Sequence, residues 1–223
     1  MAETNKKDLL TALPFWDTMT EQEQGELAKQ AALRKLNKGE QIHRGDEECS
    51  GVLYVVKGQL RPYILSEEGR EVTLYRLRQG ETCVLSASCL MDAIVFDVLI
   101  EAVEETEVLM VPASALHQIL ERNPLVELQI YKLTSKRFSD VMWTMQQILF
   151  MGADQRVAHF LRDEMEKTGE QIIPMTHDAI ARYIGSAREV VTKVLKYLAQ
   201  EGVLTLSRGK ITIVDKEKLE NYL

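Results

Sequence analysis

Short runs of alternating apolar and polar residues occupy the first half of the chain. The stretch GVLYVVKGQLRPYIL, residues 51–65, is rich in β-branched and aromatic residues and is interrupted at Lys57-Gly58. Further turn signals follow at Glu68-Gly69 and Gln79-Gly80, and two more apolar runs lie within residues 96–112. Glycines at such intervals are typical of turns between short antiparallel strands. The pattern predicts an antiparallel β-roll, similar to a jelly roll.

A helix is predicted just before the roll, in the stretch MTEQEQGELAKQAAL (residues 19–33). Thr20 and Glu23 have the spacing of a capping box, in which each side chain accepts a hydrogen bond from the other residue's backbone. We therefore expect Thr20 to be the N-cap of this helix.

A long helix is predicted from Pro124 to Met151, a stretch without glycine. At 1.5 Å per residue it would be roughly 40 Å long. Its apolar positions Tyr131, Phe138, Val141, Met145 and Ile148, with Thr134 filling a gap, fit the a and d positions of a heptad. Such a stripe favours a seam with a second copy of the chain, and hence a homodimer. The alternative is a core helix that packs only against its own domain.

The sequence pattern in the last third of the chain predicts three helices followed by a hairpin. The first lies within residues 152–169, and the second starts after Thr176 as N-cap and ends at Gly185. The third lies in GSAREVVTKVLKYLAQEG, residues 185–202, and the hairpin turns within LTLSRGKITIV, residues 204–214. Helix, helix, short turn, helix and hairpin make a winged helix-turn-helix. The expected fold class is therefore α+β.

Composition and charge narrow the classes of function. The chain has 223 residues, of which 45% are apolar and 27% charged, as in an ordinary globular protein. It has neither an apolar stretch that could span a bilayer nor a secretion signal, so we expect a cytoplasmic protein without a membrane partner. Three cysteines do not form a disulfide framework. No nucleophile–base pair or phosphate loop is recognisable, so we do not expect an enzyme.

The net charge of −7 is unevenly distributed. Residues 175–214 contain six basic and three acidic residues, a local net charge of +3. A basic patch on an acidic protein suits specific DNA binding with little non-specific affinity, because phosphate neutralisation dominates the non-specific term. Double-stranded DNA is therefore the expected partner.

The third helix carries the residues that would read DNA, since the N-terminal end of the second helix of this motif enters the major groove. Arg188 can donate two hydrogen bonds to guanine, and Glu189 can accept one from cytosine. The expected DNA-binding residues are Thr176, Ser186, Arg188, Glu189, Lys193, Lys196, Arg208 and Lys210. The alternative is a winged helix that contacts protein, with these charges merely solvated.

The stretch MTHDAIARYIGSAREVVTKVLKYLAQEGVL resembles the DNA-binding signature of the Crp/Fnr family of bacterial transcription regulators. The glycine-punctuated roll and the long helix are similar to that family's sensor domain and dimer helix. The resemblance implies a homodimer that reads a palindromic operator and is gated by a signal in the roll, with RNA polymerase as a further partner. It also implies a sensor domain at residues 1–123, a dimerisation helix at 124–152 and a DNA-binding domain at 153–223.

The sensor region departs from the branches of the family with known signals. The resemblance places Leu85 where the cyclic-AMP branch has a ribose-binding glutamate, and Phe96 and Asp97 where it has a phosphate-binding arginine and serine. No cysteine cluster precedes Cys49, which removes the iron–sulfur branch. At the positions where the carbon-monoxide-sensing heme branch has its iron ligands, this sequence has other residue types. Cys83 and His117 are the residues that could bind heme instead. We therefore expect no cofactor, and an effector other than cyclic AMP.

Two interpretations of the sensor stay open. Small residues of the loop around residues 86–89 could face an apolar helix stripe and form a pocket for a small uncharged effector, or the same residues could be a filled core. The pocket would comprise Ser86, Ser88, Cys89, Phe96, Asp97, Phe138, Val141 and Met142. Cys83 and Cys89 could also act as a thiol sensor, although buried cysteines are usually inert. The alternative function is a small-molecule-binding or protein-interaction module, thiol- or heme-based, that does not bind an operator.

Overall fold

The computed structural model describes residues 6–43, 50–90 and 98–223 of the chain. Its two compact units are both discontinuous in sequence, because the boundaries fall inside a hairpin and inside a long helix. The first unit comprises Met1–Ile64 and Leu74–Val141, and the second comprises Leu65–Thr73 and Met142–Leu223.

Strands dominate the chain between the second helix and residue 111, as the turn signals predicted. They are β1 (Ala32–Leu36), β2 (Gln41–His43), β3 (Val52–Lys57), β4 (Gln59–Leu65), β5 (Glu71–Thr73), β6 (Leu77–Arg78), β7 (Thr82–Cys83), β8 (Leu99–Ala102) and β9 (Thr106–Val111). The helices of this part of the chain are α1 (Lys6–Thr11), α2 (Glu21–Gln30), α3 (Ala113–Leu120) and α4 (Pro124–Phe150), with 3₁₀ turns at Trp16–Thr18 and Leu85–Leu90. Thr20 caps α2 in a capping box with Glu23, which confirms the sequence prediction.

The strands of the first unit form two antiparallel sheets. One has the order β1–β9–β3–β7 among the described residues, and in the other β8 lies between β2 and β4, with β6 also paired to β4. The turn at Lys57-Gly58 passes the chain from one sheet to the other, since β3 and β4 pair with different strands. Apolar side chains such as Leu53, Leu60 and Ile100 fill one continuous core cluster. The predicted β-roll is therefore confirmed.

The long helix is confirmed, but its outward face differs from the predicted stripe. Val141 is partly buried and packs against the core of the roll, and Ile148 is also partly buried. Met142 and Leu149 are exposed in their place. The pattern contains adjacent apolar residues at both positions, and a helical period alone does not determine which of two neighbours faces outward.

The exposed apolar residues of α4 nevertheless follow a heptad. Once Ser135 is included between Tyr131 and Phe138, successive positions are separated by alternating steps of 3 and 4 residues. We call this set the α4 seam: Leu128, Tyr131, Ser135, Phe138, Met142, Met145 and Leu149. Phe138 and Leu149 are 65% and 66% exposed, well above what apolar residues of a finished core show.

The second unit contains a three-helix cluster with a small sheet. Its elements are α5 (Ala153–Thr168), β10 (Ile172–Ile173), α6 (His177–Ile184), α7 (Arg188–Gln200), β11 (Leu204–Ser207), β12 (Lys210–Ile213) and α8 (Lys216–Glu220). The sheet has the order β10–β12–β11, and Ser207 pairs with Lys210 across the two-residue loop Arg208-Gly209. The predicted winged helix-turn-helix is therefore confirmed. None of the described helices has the length and apolar character needed to cross a lipid bilayer.

Candidate nucleic-acid interface

The first helix of the motif, α6, begins at the residue that the sequence predicted. Thr176 is its N-cap and accepts a hydrogen bond from the Ala179 amide at 3.1 Å. The other amides of a helix's first turn have no partner within the helix, and they carry the positive end of the helix dipole. Thr176 is exposed, so an anion such as a DNA phosphate can approach this end of α6.

The turn between α6 and α7 is fixed by side chains that bond to the last carbonyls of α6. Gly185 has a left-handed conformation, with φ of 62°, which ends the helix. Arg156 donates to the Ile184 carbonyl at 2.8 Å, and Thr73 donates to the Arg182 carbonyl at 2.9 Å. Arg70 donates to the carbonyl of Gly185 itself. These bonds hold the direction in which α7 leaves the turn.

Two of these donors are cations at the negative end of α6, which favours positive charge. Their proximity has an electrostatic cost: burial and then the nearby charge of Arg70 lower the pKa of Arg156. The guanidinium still remains charged at neutral pH, because the ordinary pKa of arginine lies far above neutrality.

The second helix of the motif, α7, is amphipathic. Val191, Leu195 and Leu198 are buried in the core of the second unit. The opposite face exposes the predicted Arg188, Glu189, Lys193 and Lys196. Ala187 is the N-cap of α7 and offers no side-chain bond to the first turn. The start of α7 therefore combines exposed charged side chains with a helix terminus that suits a phosphate.

The wing lies beside this end of the motif. A cleft of ≈ 290 Å³ is lined by Met175, Thr176, His177, Asp178, Arg188, Ser207, Arg208 and Gly209. It brings together three of the predicted DNA-binding residues, Thr176, Arg188 and Arg208. The remaining five, Ser186, Glu189, Lys193, Lys196 and Lys210, are not in its lining. Of these, Ser186 is partly buried and the other four are exposed.

The cleft also contains His177, which is not among the DNA-binding residues expected from the sequence. Its Nδ1 lies 3.0 Å from the Thr192 hydroxyl, and the ring is partly buried. Burial lowers its pKa, and the charges of Arg188 and Lys196 lower it further. The signal in the sequence was its position directly after the N-cap of the first helix of the motif.

The predicted effector pocket is only partly brought together. Ser86 is buried and donates to the Cys83 carbonyl at 3.3 Å, and Val141 packs nearby in the roll core. Phe138 and Met142 are exposed on the α4 seam, so they do not line an interior pocket of the isolated chain. Phe96 and Asp97, and the side chains of Ser88 and Cys89, lie outside the described residues.

A buried polar cluster on α4 was not predicted. Arg137 donates to Asp140 at 2.9 Å and to the Thr82 carbonyl at 3.2 Å, and its guanidinium lies 5.0 Å from the centre of the Tyr75 ring. The Tyr75 hydroxyl lies 3.9 Å from the Cys83 sulfur. Burial raises the pKa of the Cys83 thiol, which disfavours the reactive thiolate. Among the residues that the structure describes, no group of three or more metal-binding side chains is placed to hold an ion.

Comparison with known proteins identifies both parts of the chain. Residues 33–123 match the cyclic nucleotide-binding domain family, and residues 155–222 match the Crp-like helix-turn-helix domain family. A crystal structure from Eubacterium rectale, assigned to the Crp/Fnr family, is 42% identical, covers 95% of this chain and 98% of its own, and superposes with a TM-score of 0.90. The chain belongs to the Crp/Fnr family of transcriptional regulators.

Curated members of the Crp/Fnr family are more distant. The transcriptional activator FnrA of Stutzerimonas stutzeri is 28% identical over 82% of this chain and 76% of its own length. The cyclic AMP receptor protein of Thermus thermophilus is 28% identical over 80% of this chain and 82% of its own. Both matches span most of this chain, which is a Crp/Fnr-type regulator with a helix-turn-helix DNA-binding domain.

The turn contacts give the first prediction. Thr73→Val keeps the shape of the side chain but removes its hydrogen bond to the Arg182 carbonyl. Because Thr73 is buried, that carbonyl loses a partner that water replaces poorly, and we expect a loss of about 1–3 kcal/mol in the free energy of unfolding. Urea unfolding measures the loss. Thr205→Val, at an exposed position of β11, is the matched control and should change stability by less than about 0.5 kcal/mol. Equal effects of the two substitutions would contradict the role of Thr73.

Proposed function

We propose that this Crp/Fnr regulator binds a palindromic operator as a homodimer and is gated by an effector other than cyclic AMP. The observation that carries the operator-binding part is the exposed charged end of α7 beside the cleft. There Arg188 and Glu189 are available for bases, while Thr176, Arg208 and Lys210 flank them at positions suited to phosphates. The proposal includes action on transcription through RNA polymerase, which the resemblance to the family implies.

Arg188 and Glu189 suit base reading for complementary reasons. A guanidinium can donate a pair of hydrogen bonds to guanine in the major groove, and a carboxylate can accept one from cytosine. A carboxylate repels phosphates, so its position among exposed cations favours contact with a base edge over contact with the backbone. Lys210 differs, because it lies at the wing tip and its flexible ammonium suits the backbone.

Selection of binding sites from random duplex tests operator binding. Arg188→Ala removes a contact to a specific base, and we expect a loss of about 1–3 kcal/mol with relaxed preference at one position of each half-site. Lys210→Ala, the matched cation control, should weaken all sequences alike and reduce the salt slope by about one for each site. A parent protein that selects no sequence would favour the alternative function in protein or small-molecule binding. If Arg188→Ala selects the same sequences as the parent protein, the proposed base-reading role of Arg188 is contradicted.

The homodimer is supported by the α4 seam, whose exposed apolar residues follow a heptad on a helix of 27 residues. A second copy of the same helix presents the same stripe, so the seam is self-complementary in the way a two-fold interface requires. Two-fold pairing would place two reading helices on half-sites about 34 Å apart, one turn of duplex.

Substitutions in the seam test the dimer. Met142→Asp and Met145→Asp together would bury unpaired charge between the helices, which costs several kcal/mol. We expect sedimentation to show a dimer for the parent protein at micromolar concentration and a monomer for the double variant. Gln146→Asp, one position beyond the stripe, is the control and should leave the dimer intact. A monomeric parent protein would contradict the proposal.

The exclusion of cyclic AMP is supported by Leu85. It stands at the family's ribose-binding position and is buried within the apolar core cluster of the roll. A buried leucine offers no acceptor for ribose hydroxyls, and desolvating them without a partner is unfavourable. We therefore expect no change in melting temperature with millimolar cyclic AMP, whereas binding at 100 times the Kd would add about 2.7 kcal/mol. A clear rise would contradict this part of the proposal.

A further inference from the structure

His177 is a titratable residue of the cleft that has no part in the proposed base and phosphate contacts. It is the first residue of α6, directly after the N-cap Thr176. Its Nδ1 lies 3.0 Å from the Thr192 hydroxyl of α7, and its ring lines the cleft together with Arg188 and Arg208. The imidazole therefore lies where the start of α6, the reading helix and the wing come together.

The charges that face His177 are mainly positive. Arg188 and Lys196 of α7 act on it directly, and Arg208 of the wing lines the same cleft. The acidic residue next to it on α6 is Asp178, whose carboxylate is 3.6 Å from the Arg182 guanidinium and is thereby partly neutralised. A further positive charge on the imidazole is therefore unfavourable in the free protein, in agreement with its lowered pKa.

A DNA backbone would reverse this balance. A phosphate that enters the cleft brings negative charge close to the imidazole and also neutralises the neighbouring cations. The Thr192 hydroxyl can serve both protonation states, because it can donate to a neutral Nδ1 and can accept from a protonated one. The ring therefore keeps its hydrogen bond when it gains a proton.

We propose that His177 is part of the DNA interface and takes up a proton when a DNA phosphate occupies the cleft. The inference rests on the proposed operator binding and adds a consequence to it. By linkage, operator affinity rises as pH falls between the pKa of His177 in the complex and its lower pKa in the free protein. Below the free-protein pKa both states are protonated, and the dependence on pH ends.

The test is equilibrium binding of a selected operator duplex between pH 5.5 and 8.5 at constant ionic strength, measured by fluorescence anisotropy. One proton for each subunit changes the affinity by at most about tenfold per pH unit for that subunit. We expect the parent protein to show this rise towards low pH and His177→Gln to lose most of it. His117→Gln, which removes an exposed histidine of α3, is the matched control and should behave as the parent.

A second measurement does not depend on a variant. NMR titration of the His177 ring should give a higher pKa in the complex with operator than in the free protein. Operator binding with no pH dependence, or with the same dependence after His177→Gln, would overturn this inference and leave the proposed function intact. Failure of the parent protein to bind any duplex at any pH would overturn the proposed function, and this inference with it.

Discussion

The direction of α7, the second helix of the motif, depends on how the last carbonyls of α6 are satisfied. A helix end leaves carbonyl groups without partners inside the helix, and leaving them buried and unpaired is costly. Here Arg156, Thr73 and Arg70 supply the donors, and Gly185 supplies the left-handed backbone that turns the chain towards α7. If these carbonyls had no donors, or if the turn had another conformation, α7 would leave the turn in another direction. Its charged face would then no longer lie beside the wing.

The two faces of α7 have separate physical roles that depend on one another. Burial of Val191, Leu195 and Leu198 fixes the rotation of the helix about its own axis. That rotation determines which side chains remain in solvent, and so exposes Arg188 and Glu189 next to the cleft. The apolar residues therefore set the register in which the charged residues meet a partner, although they never contact it.

Local signals made much of this architecture predictable from sequence. Glycines at positive φ, such as Gly69 and Gly185, mark turns that other residues would adopt only under strain. The caps at Thr20 and Thr176 fixed where two helices begin. The charged residues of α7 were found because a helical period separates them from the buried face. The sequence pattern and the family resemblance thus led to most of the candidate DNA interface.

The features that were missed depend on contacts between distant residues. Thr73 and Arg70 meet α6 across separations of 109 and 115 residues, which no local pattern reveals. The choice between Val141 and Met142 as the outward residue depends on packing against strands far away in sequence. The environment of His177 combines residues of α6, α7 and the wing, so its altered ionisation is a property of the fold and not of the motif.

The membership of residues 65–73 in the second unit has a consequence for how the DNA-binding part is made. The ribosome synthesises this hairpin long before the helices that it caps, so the unit is complete only when the end of the chain has emerged. A fragment that starts at Met142 would contain every residue of the winged helix but would lack two of the three donors to the turn. The DNA-binding part therefore depends on a segment from the first half of the chain. A chimaera that replaces the DNA-binding part with that of another protein has to replace residues 65–73 as well.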